Sequence, residues 1–550
     1  MLSGEHYLGR QAGEVDGALC YWIERVINNI TDEQGEEHMY YTWKENPKYV
    51  GIRGHEKALH YSGEKLIVFS RKSVPLIDYS EARKKVINEL HEILGKSYPR
   101  HTGPACTFKY FAEGGLQWLS AETMYSNMEI LLGFLRGVAK DKNMKGFGAH
   151  NAVQWSTTPH ESIERYKRYR LALYTCYMLG VTDINTEEGL WHLEEGYEHH
   201  HRFSKACKAH LKQQSDFYRY VSSHTRSGKF YCPIALIHGR DDGITMFGKN
   251  KIWYTFASFG SAEKSWDIAN EFYPVTDPGK VLYTYDSPKD IPLGFYSGTP
   301  YGNVDIIPAE SKQSTFDDYK LLVFMGYNKF TQEDKEKLLK YVEKGGKVLM
   351  TRSHLTSTTN IADVRSGNMK FDYCPEIFGE NKETKEVCEY NIGKGTVYLF
   401  DTNGYPADIE SAYREKLREL TNEILAQETV WASCKNDVEF CCYTQENGDK
   451  HMYFLAVDWY NASTENRVAS LRISDKIYNI DVPYGVLIKV VTNSKVAVWP
   501  ESEDGEVISV NCNEATVQGK GNVTFCIAKD SVITKHTVDF SDSVLKTINF

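Results

Sequence analysis

The sequence lacks several features that would each have settled a class. No apolar run approaches the ~20 residues needed to cross a bilayer as a helix. There is no excess of positive charge: 64 Lys and Arg stand against 74 Asp and Glu, a net charge of −10. That balance argues against nonspecific binding to nucleic acid or to an anionic membrane, both of which need a basic face. The start, Met1-Leu2-Ser3-Gly4-Glu5-His6, has neither a basic stretch nor an apolar core, so no signal peptide is expected. The 12 cysteines are scattered, with no Cys-x-x-Cys and no Cys/His zinc spacing. Free thiols in a reducing cytoplasm are the simplest account, with adjacent Cys441 and Cys442 on two faces of one strand. The sequons at Asn29, Asn461 and Asn522 carry little weight without a signal peptide. No phosphate-loop or dinucleotide-binding glycine pattern occurs, and His238-Gly239-Arg240-Asp241-Asp242-Gly243 fits neither.

What is present is an ordinary globular composition on a long chain. The 550 residues are 41% hydrophobic and 25% charged, enough for three or four domains with large cores. Aromatic content is generous at 13%, with 37 Tyr and 10 Trp. Large cores explain such content, and so do the stacking faces of a sugar cleft.

Three patterns succeed one another along the chain. Residues 1–228 alternate helical and strand-like patches. Helices are expected over Asp78–Leu94, Met128–Lys140, Thr158–Tyr177 and Arg202–Ser222, and strands at Tyr7–Gly9, Leu66–Phe69, Leu116–Glu122, Gly146–Trp155 and from Val181. Strand alternating with helix implies a parallel sheet, and the length favours a (β/α)8-type barrel, complete or incomplete, since about six strands can be counted. Residues 229–428 form a second α/β unit of flavodoxin-like type. Its strands include Tyr231–Gly239, Val304–Ile307, Tyr319–Met325, Lys347–Thr351 and Gly395–Phe400. Thr331 caps a helix through Glu343, which Gly345-Gly346 stops, and further helices cover Ala262–Phe272 and Ala412–Leu425. Residues 429–550 turn to short alternating strands with almost no helix, an all-β sandwich.

The chemistry is expected at C-terminal strand ends of the first unit, where a (β/α) barrel exposes its catalytic groups. Cleaving a glycosidic bond takes two carboxylates that flank it. Three places supply them: Glu14, among the glycines of Ala12-Gly13-Glu14-Val15-Asp16-Gly17; Glu122, ending a strand; and the adjacent Glu187 and Glu188 before Gly189. Each could equally be a solvated loop acid. His150 and Asn151 are candidate donors to a substrate, and Trp118, Trp155 and Trp191 candidate stacking faces, although all could plug a barrel core. His199-His200-His201 on a helix would point three ways and cannot share one ion, so no metal is expected. The turn-rich Gly298–Gly302 is a loop that could reach into the active site of the barrel or of another subunit.

The order of units, with Tyr319-Lys320-Leu321-Leu322-Val323-Phe324 and Tyr341-Val342-Glu343-Lys344-Gly345-Gly346-Lys347-Val348 in the second, resembles the family 42 glycoside hydrolases and their relatives among retaining barrels. The resemblance covers the architecture of nearly the whole chain, and its firm sequence match is confined to about residues 230–350. It implies a cytoplasmic hydrolase of an oligosaccharide, acting by double displacement without a cofactor or metal, and a homo-oligomer (dimer or trimer) built through the second unit. The family's acid/base follows an Asn in an Asn-Glu pair after the fourth strand, and none of this chain's Asn-Glu pairs stands at a barrel strand end. Gly13-Glu14 is the nearest substitute. That mapping makes Glu14 the acid/base and Glu122 the nucleophile, with Glu187 and Glu188 as substitutes for either role. Asp183–Glu188 becomes the eighth strand, and Asp183 and Asn185 become substrate contacts. A phosphorylase of similar domain order and a non-catalytic carbohydrate-binding scaffold on a decayed barrel are the rivals. An amidotransferase reading fails because no cysteine follows a strand at an elbow between residues 320 and 355.

Overall fold

The computed structural model describes residues 11–13, 78–91, 100–103, 106–123, 128–151, 163–186, 205–243, 260–274, 298–379, 386–434, 437–457 and 466–550. In the N-terminal part, β1 (Gln11–Gly13), β2 (Arg100–Gly103), β3 (Trp118–Thr123), β4 (Gly148–Asn151) and β5 (Asp183–Thr186) pair in parallel, each beside the next in sequence. Strict sequence order is the order of a (β/α) barrel; an open doubly wound sheet reverses part-way. Five such parallel strands stand here among the described residues. The strands expected at Tyr7–Gly9 and Leu66–Phe69 lie outside the described residues, and Ala12-Gly13, read as part of a turn, belongs to β1.

Helices α1 (Tyr79–Leu90), α2 (Phe108–Glu113), α3 (Met128–Asp141), α4 (Ile163–Met178) and α5 (Lys205–Ser223) accompany these strands. Asp78 caps α1 by accepting from the Glu81 amide at 2.9 Å. α4 ends at Gly180, whose φ of +99° suits a residue without a Cβ. α3 is buried on almost every side because it lies between two sheets, which is what an all-round apolar helix requires. Its Gly137 allows the close approach: a Cβ there would stand 2.0 Å from the Ile306 carbonyl oxygen.

The second sheet runs β11 (Val387–Ile392), β12 (Gly395–Phe400), β10 (Lys347–Thr351), β9 (Leu321–Phe324), β7 (Ile234–His238), β8 (Asp305–Pro308). All but the antiparallel edge strand β11 are parallel. Counted from β7, the parallel strands stand in the flavodoxin-type order 2-1-3-4-5. Helix α6 (Gln332–Glu343) starts with the expected capping box, Thr331 and Asp334 bonding reciprocally. Helix α7 (Glu410–Ala426) lies later in this region, and Tyr413 on it donates to the Leu349 carbonyl. The helix expected over Ala262–Phe272 is an α-turn at Ser261–Lys264 followed by a 3₁₀ stretch, Ser265–Glu271.

One expected strand divides. Tyr231–Gly239 splits around Pro233, which has no N–H for a ladder. Its first piece, β6 (Lys229–Tyr231), leaves for another sheet and pairs antiparallel with β14 (Val438–Thr444), Tyr231 opposite Cys442. That seven-stranded antiparallel sheet and two three-stranded ones make up the C-terminal, strand-rich region. Cys441 and Cys442 on β14 join different cores, as the alternation of a strand demands. The loop Gly298–Gly302 packs here rather than reaching toward the barrel strands. The Thr299 amide donates to the Val438 carbonyl at 2.9 Å, and a Cβ on Gly302 would press on Phe440 and Trp431.

The crevice at the C-terminal ends of β7 and β9 is where an open α/β sheet usually takes a ligand. This chain fills it with its own groups. Lys109 of α2, fully buried, donates through Nζ to the Gly239 carbonyl at 2.6 Å and lies 3.3 Å from Glu310. Tyr110 donates to the Asp242 carbonyl, and Tyr79 of α1 stacks on Tyr327 with centroids 4.2 Å apart. Burial, aided by Lys109, holds His238 well below the ordinary histidine range, so its ring is neutral and Nε2 donates to the Asp242 carbonyl at 2.8 Å.

Candidate active site

Parallel register aligns residues across β3, β4 and β5 in rows. Glu122 stands opposite His150, and His150 opposite Asn185. One step further, Thr123, Asn151 and Thr186 form the next row, whose side chains point to the other face. Contacts identify the two faces. Asn151 accepts from Thr123 and from the Cys176 thiol of α4 at 3.7 Å, and Thr186 bonds Tyr169 of α4 at 2.7 Å. That row therefore faces the helices. The row Glu122, His150, Asn185 faces the opposite side, away from α4, at the C-terminal end of the sheet.

Glu122 is almost fully buried, whereas His150 and Asn185 are partly open. His150 Nδ1 is hydrogen-bonded to Asn185 Oδ1. Below them on the same face lie Ser120, Gly148 and Asp183 in register. Gly148 has no room for a side chain: a Cβ would fall 2.1 Å from Ser120 Oγ and 3.3 Å from the Asp183 carbonyl oxygen.

The expected site residues thus divide. Glu122, His150 and Asn185 come together, with Asp183 two residues beneath. Asn151 turns away to the helix layer, because it neighbours His150 and strand side chains alternate. Trp118 shares the face of that row but opens β3 at its N-terminal end, four residues and about 13 Å below Glu122. There its indole packs where a Gly146 Cβ would sit, 3.0 Å away, so it closes the floor of the sheet and stands away from the row. Glu14, Trp155, Glu187, Glu188 and Trp191 lie outside the described residues, as do His199, His200 and His201. Glu14 directly follows the last residue of β1, and Glu187 the last of β5.

Behind the row lies a second acidic feature that sequence reasoning missed. Glu129, in the first turn of α3, is buried beside Glu439 of β14. Burial raises the Glu129 carboxyl, while a hydrogen bond with Glu439 works against that rise. Thr175 donates to Glu439 at 3.2 Å. Burial, with these two acids, pushes up the Cys176 thiol, which keeps it a neutral donor to Asn151. No periodicity marks Glu129, whose neighbours on α3 are buried all round.

Among solved structures the chain is similar over most of its length to family 42 glycoside hydrolase β-galactosidases. Gan42B of G. stearothermophilus shares 12% identity over 87% of this chain and 75% of that one, with a TM-score of 0.47. The enzyme of Bacillus circulans sp. alkalophilus gives 11% identity, 86% and 76% coverage and a TM-score of 0.46. That of Rahnella sp. R3 gives 9%, 90%, 82% and 0.48. No protein-family model and no curated protein matches the sequence.

Proposed function

We propose that this chain is a glycoside hydrolase that cleaves an oligosaccharide by double displacement, with Glu122 as nucleophile and Glu14 as acid/base. The supporting observation is the row of Glu122, His150 and Asn185 on the face away from α4, at the C-terminal end of a sequentially ordered parallel sheet. A carboxylate there, flanked by an imidazole and an amide, suits a sugar ring: one group to attack, two to hold hydroxyls. Gly13, the residue before Glu14, is in register through Thr102 with Ser120 of β3, two strand spacings or about 10 Å away at the backbone. Counting β1 as the fourth barrel strand makes β5 the eighth, consistent with the expected place of Asp183. Glu187 and Glu188, just beyond β5, are the substitutes for either role. In this reading the protein works in the cytoplasm as a homo-oligomer.

The test is hydrolysis of a panel of aryl glycosides by the wild type and by Glu14→Gln, Glu122→Gln, Glu187→Gln and Glu188→Gln. Two of the four variants should lose at least about 10³-fold in kcat while staying folded, and the product should form first with the substrate's anomeric configuration. Cleavage only when phosphate is added would make the protein a phosphorylase. No cleavage under either condition would remove the enzymatic reading.

A further inference from the structure

The two edges of the seven-stranded sheet differ. At one end β6 is three residues long and stops just before Pro233, which cannot donate to a ladder. At the other stands Val532–Asp539, eight residues paired without a bulge to Asn522–Lys529. It contains no proline, and among the described residues no strand pairs with its outer side. Val532 and Ile533 on it are 56% and 38% exposed. The Phe540 amide donates to the Gly521 carbonyl at 2.8 Å, so every second residue back from Phe540 turns its backbone groups inward. Ile533, Lys535, Thr537 and Asp539 turn theirs outward, an open row of donors and acceptors of the kind that native sheets usually blunt.

We propose that this edge pairs with the same edge of a second copy of the chain, antiparallel about a two-fold axis, to make one continuous sheet. Side chains keep to their own faces only when the axis passes through a residue. Centring on Lys535 sets lysine against lysine, and centring on Thr534 or His536 sets Ile533 against a charged residue. Centring on Thr537 sets Lys535 of each copy against Asp539 of the other, and opposite charges directly across a ladder attract. In that register Thr537 exchanges backbone bonds with its own counterpart and Lys535 with the partner's Asp539, all through groups that face outward. Lys535 already meets Glu501, but both are largely exposed, and such a surface pair is too weak to hold the lysine back. The contact is independent of the glycoside hydrolase reading, and it adds a surface in the C-terminal region to the assembly expected through the second unit.

Sedimentation velocity on the whole protein tests this, over about 1–100 µM because a contact confined to one strand lies at the weak end. At the upper concentrations the wild type should carry twice the mass of Thr537→Pro, a variant that removes an outward-facing N–H and spares the ladder with the neighbouring strand. Lys535→Asp and Asp539→Lys should each show the halved mass alone. An equimolar mixture of the two should recover the wild-type mass, since each supplies the charge that the other lacks. Circular dichroism checks that the variants fold, and if Thr537→Pro does not, the charge variants decide alone. A mass that the charge variants leave unchanged, or that their mixture fails to recover, would overturn the proposal. Assembly through the second unit would enlarge every sample equally and leave the twofold ratio in place. Hydrolysis plays no part in the readout, so failure here leaves the hydrolase reading standing.

Discussion

Arg136 and Asp305 form a buried ion pair, Nε to Oδ1 at 2.5 Å, that ties a helix beside the N-terminal parallel strands to the edge strand β8 of the second sheet. Arg136 also donates to the Val304 carbonyl at 2.8 Å, and Asp305 accepts from Tyr319 at 2.6 Å. Burial alone would raise the Asp305 carboxyl, but Arg136 and Lys140 outweigh it and hold it below its usual range.

Removing one member should therefore cost more than removing both. Asp305→Asn or Arg136→Met is expected to destabilise by about 3–5 kcal/mol, and the double variant by less than the sum, read by urea unfolding. Because the folded-state value is depressed, this stabilisation is present above the ordinary carboxylate range and is lost as pH falls below it. The wild type should lose it in acid, and Asp305→Asn should show a flatter acid limb.

Asp242 behaves in the opposite sense. Burial raises its carboxyl to about 7, with Trp266 Nε1, donating at 2.9 Å, pulling the other way. A raised folded-state value means stability is full below the unfolded range near 4 and falls as pH rises toward 7. Asp242→Asn keeps an acceptor for Trp266 and removes the charge. It should gain roughly 2–4 kcal/mol at pH 8 and be nearly neutral at pH 4, measured as melting temperature against pH. A loss at pH 8 would contradict this.

Gly137 gives a steric prediction. Gly137→Ala places a methyl carbon 2.0 Å from a backbone oxygen that cannot rotate away, so α3 must move from β8. A cost of about 3 kcal/mol is expected. At Gly133 the corresponding approach is 3.1 Å and the cost should be distinctly smaller. Urea midpoints of the two variants make the comparison.

His150 and Asn151 are neighbours on opposite faces of β4. Asn151→Ala should destabilise by about 1–3 kcal/mol, through the bonds of Thr123 and Cys176, and leave KM unchanged. His150→Ala should raise KM or lower kcat with little change in stability. Kinetics and thermal unfolding on the same two variants separate the faces of β4.

Much of this was legible because local signals agreed. Thr331 with Asp334, then Gly345-Gly346 before Lys347, fixes both ends of a helix and the start of a strand without tertiary help. Short strands such as Arg467–Ile473, in which buried and open residues alternate, carry their pattern in their own residues. What was not legible depends on register. Nothing in His150-Asn151 says which side chain faces away from α4 until β3 and β5 are set beside β4. Trp118 lies on the correct face but at the wrong height, and only the direction of the strand reveals that. α2, Phe-Lys-Tyr-Phe-Ala-Glu, is buried around its circumference, so it has no polar stripe to announce a helix, and its lysine reads as a surface residue.

That lysine bears on what the molecule could become. Loosening the loops over a switch-point crevice is a simple way for such a sheet to gain a new ligand. Here the crevice already holds a charged side chain delivered from elsewhere in the chain, with carbonyls turned to receive it. Admitting a guest would strip Lys109 of those carbonyls and detach α2 from the second sheet in the same act. Variation that keeps the two halves of the protein fastened must therefore leave Lys109 and the carbonyls of His238 and Gly239 in place.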